Sequence, residues 1–226
     1  MIGTLVGSAL LVALAAAYML GVWRARGRER ALTTTLGERT EELYVARSEL
    51  KRLASLDSLT DIPNHEYFQD FLVCEWRRAL RELTPISLIV IDLDHFKAYN
   101  ERLGSQAGDN CLRLVAGALR SVVGRPGDLV ARYGGEEFVV VLGRTDSDGA
   151  YTLATKLRSM VEALELPHPE SPTADRVTTS VGVATMVPSR NTTWQEIELI
   201  AAAERALSQA KEGGRNRVAR GEFLVT

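Results

Sequence analysis

The feature that most constrains the fold is an apolar run that ends in two acidic residues. Residues 86–91, directly after Pro85, are almost entirely aliphatic and rich in β-branched side chains, and Asp92 and Asp94 close the run. This pattern is typical of a strand whose two faces are both buried. A strand of this kind needs helices packed on both sides, so the sequence predicts a mixed α/β domain.

Periodicity and turn residues predict the neighbouring elements. An amphipathic helix near 64–82 precedes the buried strand. The elements predicted after that strand are helices near 96–103 and 107–123, strands at 129–133 and 137–142, a helix near 148–165, a strand near 176–186, a helix near 193–212 and a short strand from Arg217. The order βααββαβ predicts an α/β (α+β) fold of ferredoxin-like kind, a central sheet flanked by helices. The segment 166–175, with its prolines, is expected to be a surface loop.

Residues 1–23 differ in composition from the rest of the chain. There is no charged side chain between Ile2 and Trp23, and the stretch would span about 33 Å as a helix, close to one bilayer core. Arginines at 24, 26, 28 and 30 follow, and positive charge favours the cytoplasmic side. We expect a transmembrane helix over 1–23. A cleaved signal peptide is the weaker alternative, because no Lys or Arg precedes the run.

Residues 24–56 are polar and read as a helical connection. Leucines and one alanine recur at three- and four-residue spacing, at positions 32, 36, 43, 46, 50 and 53. This spacing resembles a short parallel coiled coil, which would form a cytoplasmic stalk. Gly27 and Gly37 weaken the helix, so a single solvated helix remains an alternative. The globular domain is then expected to occupy 57–226.

Charge and cysteine usage exclude several classes of function. The formal net charge is −2, so we expect no nucleic-acid partner, for which a strongly basic domain would be typical. Cys74 and Cys111 have no partners at metal-ligand spacing and are expected to be reduced thiols. The sequence also contains no Walker loop, no dinucleotide-binding glycine pattern and no zinc motif.

Two acidic pairs are expected to meet at one edge of the sheet. Asp92 and Asp94 end the buried strand, and Glu136 and Glu137 follow the Gly134-Gly135 turn of the predicted hairpin. Such a concentration of carboxylates is costly without a cation, and oxygen ligands suit Mg²⁺ or Mn²⁺.

Cationic residues are placed to receive an anion near the same edge. Lys97 follows His95 and Phe96 where the strand turns into a helix, and Lys211 and Arg215 flank the glycines after the last helix. Free N–H groups at a helix start and nearby cations suit phosphate. The alternative for Lys211 and Arg215 is that they only complement the dipole of the last helix.

Several motifs together resemble one known family. Residues 132–138, Arg-Tyr-Gly-Gly-Glu-Glu-Phe, resemble the signature of the GGDEF diguanylate cyclases in its GGEEF form. The other matching segments are 57–64, 92–100 with Gly104, Gly108 and Asp109 after it, 180–182, and 210–217. The resemblance covers about residues 53–220.

The resemblance implies an enzyme that joins two GTP molecules into cyclic di-GMP and releases two pyrophosphates. It implies that Asp92, the Leu93 carbonyl and Glu136 hold the metal, and that Glu137 assists the metal or the proton transfer. The implied substrate residues are Asn100 and Asp109 for guanine, the N–H groups of His95 and Phe96 with Lys97, Lys211 and Arg215 for the triphosphate, and Gly134 and Gly135 for close backbone approach. The implied catalytic side chains are Glu136, Glu137 and Lys97.

Partners and location follow from the same resemblance. One domain holds one GTP, so a homodimer is expected. We expect a bacterial inner-membrane protein, anchored once through residues 2–23, with a cytoplasmic catalytic domain. Arg125 and Asp128 resemble the family's inhibitory product-binding site, although a polar turn would also explain them. The alternative function is a non-catalytic module that binds GTP or cyclic di-GMP and acts through its stalk.

Five positions depart from the family pattern. Glycine, aspartate and histidine are usual where the chain has Asp61, Glu101 and Ser105. Aspartate and tyrosine are usual where it has Glu204 and Ser208. None of these is an implied ligand, so they bear on local stability more than on activity.

Overall fold

The computed structural model describes residues 55–189 and 195–221, together with Met19, Trp23 and Arg39. The transmembrane helix expected over 1–23 and nearly all of the stalk expected over 24–56 lie outside the described residues. Within the part of the chain that the structure describes, no helix is long and apolar enough to cross a bilayer. Ser55–Thr226 forms one compact unit.

Helices and strands alternate along this unit much as the sequence predicts. They are α1 (His65–Glu82), β1 (Ile86–Leu93), α2 (Phe96–Leu103), α3 (Ser105–Val122), β2 (Asp128–Gly134), β3 (Glu137–Gly143), α4 (Ser147–Glu162), β4 (Thr179–Met186), α5 (Glu196–Glu212) and β5 (Val218–Arg220). From β1 to β4 the order is βααββαβ, as expected, and α5 and β5 complete it.

The strands form one five-stranded sheet with β1 at its centre. The strand order is β2-β3-β1-β4-β5. β1 runs antiparallel to both β3 and β4, and β5 lies parallel to β4. The prediction of a mixed α/β fold with a central sheet is confirmed.

Helices cover both faces of the sheet, which explains why β1 is mostly apolar and buried throughout. Leu88 and Val90 face one hydrophobic core, which contains side chains of α1 and α5. Ile89 and Ile91 face the other core, which contains side chains of α2, α3 and α4. Every residue of β1 is buried, so neither face of the strand tolerates the polar alternation of a half-exposed sheet.

Gly182 lets α5 lie directly on β4. A Cβ at this position would overlap the Ala203 carbonyl oxygen and the Leu207 nitrogen, both of which belong to the α5 backbone. Glycine is therefore required by the close approach of helix to strand. This approach fixes where the C-terminal end of α5, with Lys211, lies relative to β1.

Asp61 adopts a conformation that glycine adopts more easily. Its φ of 55° lies in the left-handed region. Asp is one of the few other residues that populate this region without severe strain. The expectation that this position affects local stability therefore has a backbone cause.

The segment 166–175, predicted to be a surface loop, is closed at its base by backbone hydrogen bonds. The Val177 N–H donates to the Leu166 carbonyl at 2.8 Å, and the His168 N–H donates to the Asp175 carbonyl at 2.9 Å. β4 accordingly begins at Thr179, and not near 176 as predicted, because the residues before it pair with the start of the loop instead. His168 within the loop is only 1% exposed.

Candidate active site

The predicted acidic residues meet where β1 ends and β3 begins. Asp92 of β1 and Glu137 of β3 are register partners, because the two strands are antiparallel. Glu136 lies in the turn immediately before Glu137. The pairing of strands therefore brings these three carboxylates to one edge of the sheet.

The β2–β3 turn is held by Arg132. Its Nε and Nη2 donate to the Gly135 carbonyl at 3.1 and 2.7 Å, and its Nη1 donates to both carboxylate oxygens of Asp57 at 3.0 and 3.2 Å. Of the two turn glycines, only Gly135 has a positive φ, 50°, while Gly134 still belongs to β2. The predicted Gly134-Gly135 turn therefore uses the left-handed conformation at one of its two glycines.

Asp57 connects the start of the domain to this turn. Burial alone would raise its pKa, but hydrogen bonds from Thr60 and Arg132 outweigh that effect and hold the pKa below its ordinary value. Asp57 and Arg132 lie in the matching segments 57–64 and 132–138, but the sequence pattern assigned neither of them a role. Because Arg132 bonds to both Asp57 and the Gly135 carbonyl, the N-terminal segment braces the loop that carries Glu136.

The acidic edge, by which we mean the carboxylates of Asp92, Glu136 and Glu137, concentrates negative charge at the end of β1. Burial raises the pKa of Asp92, and the nearby charges of Glu136 and Asp94 raise it further, against the opposing effect of Lys211. Burial also raises the pKa of Glu137, and the charge of Asp92 adds to this effect. Asp92 and Glu137 are therefore harder to ionise here than in water, which is the condition that a bound cation relieves.

Asp94 takes a structural role. Its oxygens accept hydrogen bonds from Thr178 Oγ1 at 2.7 Å, Ser180 Oγ at 2.6 Å and the Asn216 N–H at 3.1 Å. The side chain is 2% exposed. The predicted group of four carboxylates is therefore reduced to three available ones, because Asp94 already has its donors from β4 and from the turn after α5.

Lys211 lies on the acidic edge itself. Its Nζ is 2.8 Å from Asp92 Oδ2, so the expected phosphate ligand is paired with the expected metal ligand. Arg215, four residues on, is close enough for its charge to lower the pKa of His95, after the larger effect of burial. Lys97 is exposed, and its Nζ is 3.8 Å from Glu101 Oε1, a weak solvent-exposed pair.

The start of α2 presents backbone donors. His95 precedes the helix with a left-handed φ of 57° and provides no side-chain cap. The first N–H groups of a helix have no acceptor within it, and such groups bind anions. The expected phosphate contacts from the His95 and Phe96 N–H groups lie at this point of the chain.

The two residues expected to contact guanine come from neighbouring helices. Asn100 lies on α2 against Gly108 of α3, where a Cβ would overlap its Oδ1 atom. That Oδ1 atom is buried and has no hydrogen-bond partner among the described residues. Asp109, next to Gly108, is exposed at the same end of α3. An amide oxygen without a partner suits a ligand that supplies an N–H donor.

The donor set fits a hard divalent cation. No group of three His, Cys, Asp or Glu side chains within the described ranges could hold a metal ion. The expected ligands are instead two carboxylates, Asp92 and Glu136, and the Leu93 carbonyl. All are oxygen ligands, which Mg²⁺ prefers. The raised pKa of Asp92 and the ammonium of Lys211 beside it show that this edge favours positive charge.

Arg125 and Asp128 lie at the opposite end of β2 from the Gly135 turn. Arg125 is exposed, and the Asp128 N–H donates to its carbonyl at 3.1 Å, closing a turn in which Gly127 has φ 99°. Burial raises the pKa of Asp128, and the charge of Arg125 opposes this. The two side chains are thus close, and separate from the acidic edge.

Comparison with known proteins gives consistent matches. Residues 54–217 match the family model described as diguanylate cyclase, GGDEF domain. The chain is 36% identical over 176 residues to the probable diguanylate cyclase DgcT of Escherichia coli K12, covering 78% of this chain and 38% of the relative. It is 32% identical over 195 residues to the diguanylate cyclase DgcP of Pseudomonas aeruginosa, covering 85% of this chain and 28% of the relative. The chain thus spans well under half the length of these curated relatives.

A solved structure is similar to this chain. The coiled coil and GGDEF domain of DgcB from Caulobacter crescentus, in complex with c-di-GMP, superposes with a TM-score of 0.68 at 32% identity. The match covers 84% of this chain and 99% of that one.

Gly108→Ala tests whether Asn100 contacts a guanine base. The added Cβ displaces the flexible carboxamide without touching backbone, so the fold should survive while affinity for a non-hydrolysable GTP analogue falls about tenfold. Isothermal titration calorimetry measures this affinity. Gly117→Ala is the matched control, since it lies on the same helix and its Cβ would meet nothing within 4 Å. Unchanged affinity in Gly108→Ala would remove Asn100 from the base site.

Proposed function

Because the chain belongs to the GGDEF family of diguanylate cyclases, we propose that it condenses two GTP molecules into cyclic di-GMP with release of two pyrophosphates. The observation that carries the proposal is the pairing of Asp92 with Glu137 beside the turn that holds Glu136, with Lys211 on the same edge. A set of carboxylates and a cation at a strand end next to open backbone donors suits the binding of a nucleotide triphosphate with its metal.

Substrate binding is assigned to the residues around this edge. The guanine base contacts Asn100 and Asp109, and the open space beside Gly134 and Gly135 admits the nucleotide, since a Cβ at either glycine would meet no atom within 4 Å. The N–H groups of His95 and Phe96 take phosphate oxygens. Lys97, Lys211 and Arg215 supply positive charge to the same group.

Asp92, the Leu93 carbonyl and Glu136 would hold Mg²⁺ (or Mn²⁺). When bound, the metal neutralises charge on the reacting phosphate. In the protein alone, Lys211 Nζ lies 2.8 Å from Asp92 and partly offsets the effect of burial, which raises the pKa of that carboxyl.

Glu137 is suited to proton transfer. The 3′-oxygen of one GTP bonds to the α-phosphorus of the other, the bond from that phosphorus to pyrophosphate breaks, and the 3′-hydroxyl proton moves to a base. Burial raises the pKa of Glu137 toward the operating range, which favours it as the acceptor. The step occurs twice for each cyclic product.

Glu136→Gln tests the assignment of the acidic edge. The substitution keeps the size of the side chain and removes its charge, so turnover should fall by about two orders of magnitude or more while the fold persists. Chromatography of products from GTP and Mg²⁺ measures the rate, and circular dichroism checks the fold.

Glu212→Gln is the matched control, because it removes the same charge from an exposed position next to Lys211. It should retain wild-type turnover. A Glu136→Gln enzyme with near-normal turnover contradicts the assignment. A wild-type protein that binds GTP without forming cyclic di-GMP would instead favour the alternative of a non-catalytic binding module.

We also propose that the enzyme works as a homodimer, anchored in the inner membrane of a bacterium through residues 2–23. The uncharged run and the arginines after it support the anchor, and the leucine spacing over 32–53 supports a coiled-coil stalk. One domain carries one GTP site, so the product requires two copies facing each other.

Deletion of residues 1–54 tests the anchor and the stalk together. The cut precedes Ser55, whose carbonyl accepts from the Asn64 N–H at 2.9 Å, so the compact unit stays intact. The shortened protein should leave the membrane fraction, and its specific activity should be low at dilute protein and rise with concentration, because association becomes bimolecular. Specific activity independent of concentration would contradict a dimeric mechanism through this segment.

Arg125 and Asp128 are proposed to bind the product and inhibit the enzyme. Arg125→Ala should leave the initial velocity nearly unchanged but extend the linear phase of product formation, because the guanidinium that would donate two hydrogen bonds to the ligand is lost. Progress curves with and without added cyclic di-GMP measure this effect. Arg113→Ala, at an exposed position of α3, is the control and should behave as wild type. A wild-type velocity indifferent to added product leaves Arg125 and Asp128 as a polar turn.

A further inference from the structure

A buried histidine contacts the backbone of the proposed phosphate-binding segment. His168 is 1% exposed, and its Nε2 lies 3.1 Å from the carbonyl oxygen of His95. Its ring also packs edge-on against Tyr99 of α2, with the ring centroids 5.2 Å apart. His168 comes from the proline-containing loop before β4, which none of the family motifs includes.

The chemistry of this contact fixes the role of one ring nitrogen of His168. A carbonyl oxygen only accepts hydrogen bonds, so Nε2 carries a proton and donates it. The other ring nitrogen, Nδ1, is buried without a hydrogen-bond partner among the described residues. A buried polar atom without a partner costs free energy, so apolar packing alone does not explain a histidine here.

The same loop and Thr178, which lies between the loop and β4, contact His95 and its neighbour through three further groups. The His95 imidazole Nε2 lies 3.1 Å from Thr173 Oγ1. The Asp94 N–H donates to the Thr178 carbonyl at 2.9 Å, and the Asp94 carboxylate accepts from the Thr178 hydroxyl. The loop and Thr178 therefore contact Asp94 and His95, the two residues that connect β1 to α2.

These contacts act on His95, whose backbone conformation is energetically unfavourable. His95 has φ 57° and ψ 28°, in the left-handed region that non-glycine residues rarely adopt. Such a conformation persists only where the surroundings enforce it. It determines the direction of the His95 and Phe96 N–H groups at the start of α2.

We propose that His168 is a positioning residue, which holds His95 in the left-handed conformation and so presets the backbone N–H groups that receive the triphosphate. The inference rests on the proposed function, because that function assigns these N–H groups to phosphate. His168 itself touches no substrate. It acts through the His95 carbonyl, and a donor at the Nε2 position is the property that matters.

Two variants separate the hydrogen bond from the packing. His168→Gln places an amide N–H near the position of Nε2, whereas His168→Leu keeps much of the bulk and has no donor. In the full-length protein in detergent micelles, His168→Leu should weaken the affinity for inorganic pyrophosphate about tenfold and raise KM for GTP by a similar factor, with a smaller change in kcat. His168→Gln should stay within about threefold of wild type in each quantity.

Calorimetry with pyrophosphate in magnesium buffer and steady-state kinetics give these values, and thermal unfolding checks that both variants fold. Equal impairment of the two folded variants, or wild-type behaviour of both, overturns the proposal. A wild-type protein that forms no cyclic di-GMP defeats the proposed function instead, which the kinetics show before any variant is compared.

The wild-type protein supplies a second test that no folding defect can obscure. The chain has three histidines, so ¹⁵N-histidine labelling gives a short, assignable spectrum of ring nitrogens. The proposal requires that Nε2 of His168 carries a proton and that this proton is protected from exchange. A ring without a proton on Nε2, or a rapidly exchanging Nε2 proton, overturns it.

Discussion

The structure depends on the burial of β1 from both faces and its pairing along both edges. Burial requires an apolar strand, and pairing with β3 and β4 fixes its register to the residue. Asp92, next to the last residue of the strand, is buried beside an apolar core. It cannot move away from this core unless the strand register breaks. The position of the acidic edge is thus a consequence of hydrophobic packing, and its chemistry follows from charges that packing has forced together.

The negative charge at this edge is balanced by a lysine that is distant from it in sequence. Lys211 belongs to α5, whose placement is set by contact with Gly182 of β4, and β4 is the neighbour of β1. Arg132 braces the opposite side by joining the Gly135 turn to Asp57. The packing of the elements that carry these two cations therefore sets their backbone positions.

Local patterns predicted much of this arrangement. The apolar run, the glycine turn and the helical periodicities are contained in short windows, so the element order and the meeting of Asp92 with Glu137 could be inferred. The role of Asp94 could not, because its donors are 84, 86 and 122 positions away in sequence. His168 gave no signal at all, since a single histidine between prolines has no periodicity, and only the paired base of its loop buries it.

The seating of α5 on β4 has a consequence for regulation. At Gly182 the backbones of β4 and α5 touch without a side chain between them, and interiors packed to this density transmit displacement instead of absorbing it. The edge carrying Lys211 therefore moves with the sheet as one rigid piece. In the homodimer that we propose, a stimulus would change how often, and in what orientation, two such domains face each other, more readily than it would reshape either one. Control of this kind acts on encounter frequency and leaves the reacting groups unaltered.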